Sequence, residues 1–336
     1  MSAPLLEVRD LTVHFPTHDG TVRAVDGISY DLRAGETLGI VGESGSGKSV
    51  SSLAVMGLLP KTAQVTGSIR FRGEELIGRS EKELQPIRGA QIAMIFQDAL
   101  ASLNPVHRVG DQIVEAMRVH GELEDRRARE RRAVELLDIV GIPDPATRVS
   151  QYPHEYSGGM RQRAMIAMAL ANDPAVLFAD EPTTALDVTI QAQVLDVVRR
   201  VQERTDTAVV LITHDLGVVA GTADRVMVMY AGRQAELGTV DEIFYETRHP
   251  YTAGLLASLP RLDRRAGPDA RLYRIEGQPP SLVFVPPGCP FHPRCTEART
   301  PAPCATDRPD LTGDEAGHQA ACHFPESARR ILEAGA

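Results

Sequence analysis

The chain has 336 residues, of which 43% are hydrophobic and 24% charged, and its formal net charge at pH 7 is −9. These values are typical of a soluble protein with one large domain or two unequal ones. No apolar stretch approaches the roughly 20 residues that a membrane-spanning helix needs. The negative charge argues against general nucleic-acid binding, because that affinity comes mostly from neutralised phosphates. The N-terminus lacks the charged-then-apolar layout of a signal peptide, so we expect the protein to fold in the cytoplasm.

The first hundred residues are predicted to be rich in strands. Residues 5–13 and 28–33 alternate apolar and polar side chains, as half-exposed strands do. A short apolar run, ETLGIV, leads into a glycine-rich loop and then into a helix that Pro60 ends. Two further strands are predicted in GSIRFRG and AQIAMIFQ.

From about residue 106 to 141 the pattern becomes helical, and Gly141 is well placed to end a charged helix. A second apolar-faced helix follows in SGGMRQRAMIAMALAND. The buried-type strands AVLFAD and AVVLIT are separated by a helix, and RVMVMYAGRQAELG predicts a closing hairpin. Strands without alternation that are separated by helices predict a parallel sheet covered on both faces. After about residue 260 prolines accumulate and cysteines begin, so we place a domain boundary there.

The run GESGSGKS fits the pattern G-x-x-x-x-G-K-[ST] between a predicted buried strand and a helix. Its glycines allow consecutive backbone N–H groups to face a phosphate chain. Lys48 would reach the β- and γ-phosphates of a nucleotide, and the Ser49 hydroxyl would coordinate Mg²⁺. The nucleotide-binding residues predicted from this run are Gly42, Glu43, Ser44, Gly45, Ser46, Gly47, Lys48 and Ser49.

Two further motifs carry polar chemistry. The run AVLFADEP ends in Asp180, which can hold the Mg²⁺ shell, and Glu181, which can orient and deprotonate an attacking water. The run YSGGMRQ begins a helix, with Ser157 as its N-cap and with Gly158 and Gly159 freeing backbone N–H groups to face an anion. Because one loop already binds phosphates, this second anion-binding helix start is predicted to serve a different nucleotide.

These motifs, followed by ALD at residues 185–187 and by a histidine directly after a strand, resemble ABC-transporter ATPases over about residues 5–260. The YSGGM run is similar to the family signature LSGGQ, with Tyr156 and Met160 as the substitutions. The resemblance implies an α/β fold with a P-loop NTPase (RecA-like) core and an N-terminal antiparallel β subdomain. It also implies an α-helical signature subdomain at about residues 98–172 and a small cysteine-containing extension at residues 261–336.

The resemblance implies that two ATPase domains sandwich two ATP molecules head to tail, so that each glycine-rich loop faces Ser157, Gly158, Gly159 and Met160 of the partner subunit. Asp187 would lie in a loop that crosses this interface. Intact Glu181 implies a subunit competent for hydrolysis.

Three more residues take roles from the resemblance. Gln97 would sense Mg²⁺ and the attacking water, His214 would contact the γ-phosphate, and Phe15 would stack on adenine. The implied catalytic residues are Glu181, His214 and Gln97, and the implied Mg²⁺ ligands are Ser49, Gln97 and Asp180.

The run FQDALASLNP is similar to FQDPxxSLNP of oligopeptide and dipeptide importer ATPases, with Ala99 where proline is usual. The runs HPYT and GQPPSL…PPGCPFHPRC resemble the same subfamily. They imply an ATPase subunit peripheral on the cytoplasmic side of a bacterial membrane. Its implied partners are two transmembrane permeases, a second ATPase subunit (a sister or another copy) and an extracytoplasmic solute-binding protein, with no nucleic acid.

Three alternative functions stay open, one of them a redox-regulated or non-hydrolysing switch subunit in which the cysteine-containing tail carries the regulation. A nickel or other small-solute importer would share the subfamily. A soluble, non-transport ABC ATPase is disfavoured by the acidic charge and by the single cassette.

All four cysteines lie in the proline-rich tail with the spacing C-x5-C-x8-C-x17-C, at Cys289, Cys295, Cys304 and Cys322. Disulfides are disfavoured because the cytosol keeps thiols reduced. Four thiolates can hold zinc or an iron–sulfur cluster, although structural zinc sites commonly use a closer cysteine pair. Dipeptide-importer ATPases include members with a 4Fe–4S cluster in such a tail. The resemblance implies that cofactor, with zinc and unliganded thiols as the alternatives.

Overall fold

The computed structural model describes residues 3–97, 102–121, 125–182, 188–259, 273–314 and 317–334. The chain divides into two compact units, each built from segments that are distant in sequence. The first unit comprises residues 1–6, 32–37 and 71–212, and the second comprises residues 7–31, 38–70 and 213–336. The predicted boundary near residue 260 lies within the second unit and stays a prediction.

Among the described residues, the strands are β1 (Leu6–Thr17), β2 (Gly20–Leu32), β3 (Thr37–Val41), β4 (Gln64–Phe71), β5 (Glu74–Glu75), β6 (Ile92–Ile95), β7 (Val176–Asp180), β8 (Ala208–Thr213), β9 (Arg225–Tyr230), β10 (Arg233–Thr239), β11 (Thr312–Gly313) and β12 (Gln319–Ala320). The α-helices of the same ranges are α1 (Lys48–Val55), α2 (Glu81–Leu84), α3 (Val109–His120), α4 (Arg126–Ile139), α5 (Pro145–Arg148), α6 (Gly158–Ala169), α7 (Val188–Thr205), α8 (Leu216–Ala220), α9 (Val240–Tyr245), α10 (Pro250–Ala257) and α11 (Ser327–Ala334). Short 3-10 helices cover Pro153–Glu155 and His292–Arg294.

Three parallel strands form the core sheet of the first unit. Strand β7 pairs with β6 on one side and with β8 on the other, with Leu177 opposite both Ala93 and Val209. Every residue of these three strands is buried. The uninterrupted burial confirms the prediction of parallel strands that are covered on both faces.

The helices of the first unit follow the predicted starts and stops. Helices α3, α4 and α6 pack against one another, and α6 also packs on β6. Asp125 caps α4, because its carboxylate accepts the N–H groups of Arg127 and Ala128 at 3.2 and 3.1 Å. Gly141 follows the end of α4 in the left-handed conformation, with φ 73°. The helical region predicted from about residue 106 to 141 is therefore confirmed for its described residues.

The second unit contains two sheet regions. In one, β1 lies between β2 and β4, and β1 and β2 run antiparallel because only two residues join them. In the other, β3 pairs in parallel with β9, which forms an antiparallel hairpin with β10. Ala231 and Gly232 turn this hairpin with positive φ angles of 49° and 80°, as a tight two-residue turn requires. The predicted closing hairpin is confirmed.

The proline-rich tail packs on the same core as β3 and β9. Its strand β12 adds to the edge of β10 in antiparallel register, with Ala320 opposite Glu236, and helix α11 packs on α10. Cys289 and Phe291 belong to one hydrophobic cluster with Tyr230 and Tyr251. Long-range packing, rather than local periodicity, thus orders the tail.

No helix in the described part of the chain combines the length and the hydropathy that crossing a membrane would require.

Candidate nucleotide-binding site and cysteine pocket

The glycine-rich loop (residues 42–49) connects buried strand β3 to helix α1. Gly47 caps α1 with φ 98°, and a Cβ atom at this position would collide with the carbonyl oxygen of Ala24. A side chain at Gly42, where φ is 153°, would collide in the same way with the carbonyl oxygen of Met229. Neighbouring backbone therefore restricts both positions to glycine.

Lys48 is hydrogen-bonded to the backbone of its own loop. Its side chain is buried, and its ammonium group donates hydrogen bonds to the carbonyl oxygens of Gly42 at 2.7 Å and Glu43 at 3.0 Å. The N–H group of Ser46 donates to the Glu43 carbonyl at 3.2 Å. Ser49 is half-buried in the first turn of α1. The loop is thus a compact ring with the lysine at its centre, a shape suited to surrounding a phosphate chain.

The predicted carboxylates lie at the end of strand β7. Asp180 is buried, and the next residue, Glu181, takes a left-handed backbone conformation with φ 47° that is uncommon for a residue other than glycine. The side-chain amide of Gln97 donates to the Glu181 carboxylate at 3.0 Å. Two predicted catalytic residues that stand 84 positions apart in sequence are therefore in direct contact.

The predicted signature helix begins as expected. Ser157 caps α6, and its hydroxyl accepts the N–H group of Met160 at 3.3 Å. Ser157 and Gly158 are exposed, while Tyr156 is only 2% exposed and donates its hydroxyl to the carbonyl of Arg148 at 3.0 Å. Burial raises the pKa of Tyr156 to about 12. The tyrosine that replaces the usual leucine is therefore a core residue with a satisfied hydroxyl.

The remaining predicted residues lie at strand positions. His214 is exposed immediately after β8, and the next residue, Asp215, caps α8 by accepting the N–H group of Gly217 at 2.8 Å. Phe15 is half-buried near the end of β1. Asp187 lies outside the described residues. The first unit holds Gln97, residues 157–160, Asp180 and Glu181, and the second unit holds Phe15, the glycine-rich loop and His214.

The four cysteines line one small cavity, the cysteine pocket, together with Phe291, Phe324 and His323. None of the four forms a disulfide. Burial raises the pKa of the Cys289 thiol, and it raises the pKa values of Cys295 and Cys322 to about 12.

Two observations on the cysteine pocket bear on metal binding, and they point in different directions. Four soft sulfur donors around one cavity suit zinc or an iron–sulfur cluster. Within the ranges that the structure describes, however, no group of three or more His, Cys, Asp or Glu side chains has the arrangement of a metal site. The predicted 4Fe–4S cluster is therefore not confirmed and stays a prediction.

Contacts of Glu43 with the C-terminal part of the chain were not predicted. The Tyr251 hydroxyl accepts the N–H group of Glu43 at 2.9 Å, and Arg294 binds the Glu43 carboxylate at 2.6 and 3.0 Å. Tyr251 belongs to the run HPYT and Arg294 to the run GCPFHPRC, both of which resemble the peptide-importer subfamily. Nothing in the sequence pairs either residue with the loop.

Comparison with known families agrees with this geometry. The family described as ABC transporter matches residues 25–184, and the family described as Oligopeptide/dipeptide transporter, C-terminal region matches residues 235–304. A solved structure, the dimeric ABC transporter cassette MJ0796, superposes with a TM-score of 0.63 at 25% identity, covering 70% of this chain and 98% of that chain. A second solved structure, cbiO1 from Clostridium perfringens, superposes with a TM-score of 0.63 at 27% identity, covering 73% of this chain and 92% of that chain.

Sequence relatives extend the match through the tail. The dipeptide transport ATP-binding protein DppD of Bacillus subtilis is 56% identical over 87% of this chain and 86% of its own length. The oligopeptide transport ATP-binding protein OppD of Salmonella typhimurium is 50% identical over 96% of this chain and 94% of its own length. The OppD protein of Mycobacterium tuberculosis is 52% identical over 95% of this chain, which spans about half (52%) of that protein. The chain therefore belongs to the ABC transporter ATPases, in the group that carries the oligopeptide/dipeptide transporter C-terminal region.

Proposed function

We propose that the protein is the ATP-binding and ATP-hydrolysing subunit that powers import of di- or oligopeptides through a membrane ABC transporter. The observation that carries this proposal is the extent of the similarity. Relatives named for dipeptide and oligopeptide transport match both the cassette and the C-terminal region, at 56% identity over 87% of the chain and 50% over 96%. A cassette shared by all ABC ATPases would not by itself favour peptides.

In the proposed reaction, water attacks the γ-phosphate of ATP, the bond from the γ-phosphorus to the β–γ bridging oxygen breaks, and ADP leaves while inorganic phosphate forms. Lys48 would leave its two loop carbonyls to neutralise the β- and γ-phosphates, and Glu181 would accept the proton of the attacking water. Gln97, which donates to Glu181 at 3.0 Å, would hold that carboxylate in position and sense the water. His214 would contact the γ-phosphate, and Phe15 would stack on adenine.

Mg²⁺, when bound, would supply positive charge that offsets the charge developing on the phosphates. The residues assigned to it, Ser49, Asp180 and Gln97, offer oxygen atoms, which are the ligands that Mg²⁺ prefers.

The proposed assembly is a head-to-tail ATPase pair on the cytoplasmic side of the membrane, with two permeases and a solute-binding protein outside. The exposed Ser157 and Gly158 at the N-terminus of α6 support a role for this signature in contacting the nucleotide of a partner subunit. We propose the domain division 1–260 for the ATPase, with a helical subdomain at about 98–172, and 261–336 for the extension.

We further propose that the cysteine pocket holds a 4Fe–4S cluster, with zinc as the alternative. The support is the donor set, since four thiols line one cavity. Anaerobically purified protein is expected to be brown and to contain about four iron atoms per chain. Colourless protein that contains one equivalent of zinc would contradict the iron–sulfur cluster and support a zinc site instead.

Solute uptake tests the transport proposal. Cells that lack the subunit are complemented with the parent chain or with Glu181→Gln, and uptake of a labelled dipeptide and of nickel is measured. We expect the parent chain alone to restore dipeptide uptake. Restoration of nickel uptake without dipeptide uptake would favour the small-solute alternative, and restoration of neither would contradict an importer function.

A further inference from the structure

Glu43, the second residue of the glycine-rich loop, is held by the C-terminal part of the chain. Both carboxylate oxygens of Glu43 accept hydrogen bonds from the Arg294 guanidinium, at 2.6 and 3.0 Å. The Tyr251 hydroxyl accepts the Glu43 N–H group at 2.9 Å. The residue is therefore fixed through its side chain and its backbone at once, by partners 251 and 208 positions away.

The Arg294 side chain has little freedom to move. It is only 5% exposed, and its guanidinium also donates to the carbonyl of Glu276 at 3.0 Å and to the hydroxyl of Tyr230 at 3.3 Å. The hydrogen bond with Glu43 is the main cause that raises the pKa of Arg294. A bidentate ion pair of this kind is geometrically specific, and breaking it leaves a charge without its partner in a largely buried place.

The position of Arg294 follows from the cysteine loop, which we define as residues 289–295. Arg294 lies in the 3-10 helix His292–Arg294, directly before Cys295. The Cys295 N–H group donates to the carbonyl of His292 at 3.3 Å, and the Cys289 N–H group donates to the carbonyl of Cys304 at 2.9 Å. The backbone that carries the guanidinium is therefore ordered by the same turns that gather the cysteines.

Glu43, which Arg294 binds, is itself hydrogen-bonded to Lys48 of the glycine-rich loop. The carbonyl of Glu43 accepts hydrogen bonds from both Lys48, at 3.0 Å, and the N–H group of Ser46, at 3.2 Å. A shift of Glu43 thus changes the shape of the loop and the placement of the lysine ammonium group. Because the loop must surround phosphates to within a hydrogen-bond length, such a shift lowers affinity for the nucleotide.

We propose that Arg294 is a positioning residue for the glycine-rich loop, and that the fold of the cysteine loop sets ATP affinity through the Arg294–Glu43 pair. The inference rests on the proposed role of residues 42–49 in nucleotide binding. It holds whatever the cysteines bind.

The test compares MgATP affinity of the purified full chain, measured by isothermal titration calorimetry, between the parent and Arg294→Met. We expect affinity to fall about tenfold or more, as for loss of one buried charged pair. Arg294→Lys keeps the charge but not the two-pronged geometry, so an intermediate loss is expected. The matched control is Arg330→Met, which removes a 2.6 Å pair with Glu297 at an exposed position and is expected to bind MgATP within about twofold of the parent.

Measuring KM for ATP and kcat separately distinguishes a positioning role of Arg294 from a merely structural one. Positioning predicts a higher KM for ATP with kcat per active site largely unchanged, whereas partial unfolding lowers the active fraction and leaves KM as it was. If Arg294→Met does not fold, Glu43→Gln and Arg294→Lys provide the same comparison from either side of the pair.

A double-mutant cycle tests the link to the cysteine loop. Cys295→Ser replaces a thiol that packs against the hydrophobic cluster of Tyr230, Tyr251 and Phe291. It is expected to weaken MgATP binding in the parent and to add little in Arg294→Met, because both changes act through one contact. Affinity of Arg294→Met within twofold of the parent, or additive losses in the cycle, would overturn the inference. Lys48→Ala distinguishes the two proposals: unchanged MgATP binding in that variant would contradict the nucleotide role of the loop itself.

Discussion

Some polar groups of the cassette motifs differ sharply in their surroundings from the buried polar cluster around Glu236 in the C-terminal region. In the cassette, Ser157 and His214 are exposed, and Glu181 occupies an uncommon backbone conformation. In the C-terminal region, Glu236 is fully buried and accepts four hydrogen bonds, and its partner His318 is fully buried too. The exposed groups of the cassette are accessible to a ligand, whereas the Glu236 carboxylate is enclosed and paired within the fold.

The difference predicts where substitutions act. Changes at Glu181 and His214 should reduce turnover and leave the free energy of unfolding nearly unchanged. Changes in the C-terminal polar cluster should do the reverse, with the Arg294–Glu43 pair as the point where the two regions meet.

The largest expected effect is on turnover in Glu181→Gln. Loss of a general base normally costs roughly 10²- to 10⁴-fold in rate. The amide is close in shape to the carboxylate, so MgATP affinity and the unfolding midpoint should stay near those of the parent. Steady-state ATPase assays and thermal unfolding check both halves, and a rate within threefold of the parent would remove Glu181 as the base.

The next effect is a loss of stability in Glu236→Gln. The Glu236 carboxylate accepts hydrogen bonds from Thr247, His318 and the N–H groups of Arg248 and His249, at 2.6 to 3.1 Å. An amide NH₂ group in place of one oxygen leaves buried donors unpaired, which should lower the free energy of unfolding by about 2–3 kcal/mol. Denaturant unfolding measures the change.

Glu297→Gln is the control for that measurement, since its pair with Arg330 is exposed and is worth about 0–1 kcal/mol. Equal losses in the two variants would mean that burial does not distinguish the C-terminal cluster from an ordinary surface pair.

The smallest effect is expected in Tyr156→Leu, which restores the residue usual in the family signature. It removes the hydrogen bond from the tyrosine hydroxyl to Arg148, so stability should fall by about 1 kcal/mol. ATP turnover should not change, because the neighbouring Ser157 and its contact with Met160 remain. A turnover loss comparable to that of Glu181→Gln would show that the buried tyrosine is part of the site.

Local chemistry explains which features could be predicted from the sequence. The glycine-rich loop, the Ser157 cap and the hairpin turn at residues 231–232 each require particular residue types at adjacent positions, and all three are present. The order of the tail could not be predicted, since it depends on contacts between distant residues. Glu236 meets His318 across 82 positions, and Glu43 meets Arg294 across 251. Periodicity does not report such pairs.

The same reason explains why the cysteine pattern of the tail predicts only a metal site. Prolines and cysteines at 289–295 indicate stiff ligand loops, and the four thiols do line one pocket. The role proposed for Arg294, which stands next to Cys295, follows only from its contact with Glu43 in the folded chain.

Peptide-stimulated ATP hydrolysis tests the central claim most directly. The chain is reconstituted in proteoliposomes with its permeases, and ATP turnover is measured with the solute-binding protein empty or loaded with a dipeptide. Our account predicts that the loaded binding protein raises turnover several-fold with the parent chain and not at all with Glu181→Gln. Turnover that is the same with and without peptide, in a reconstituted complex that hydrolyses ATP, would contradict the assignment to peptide import.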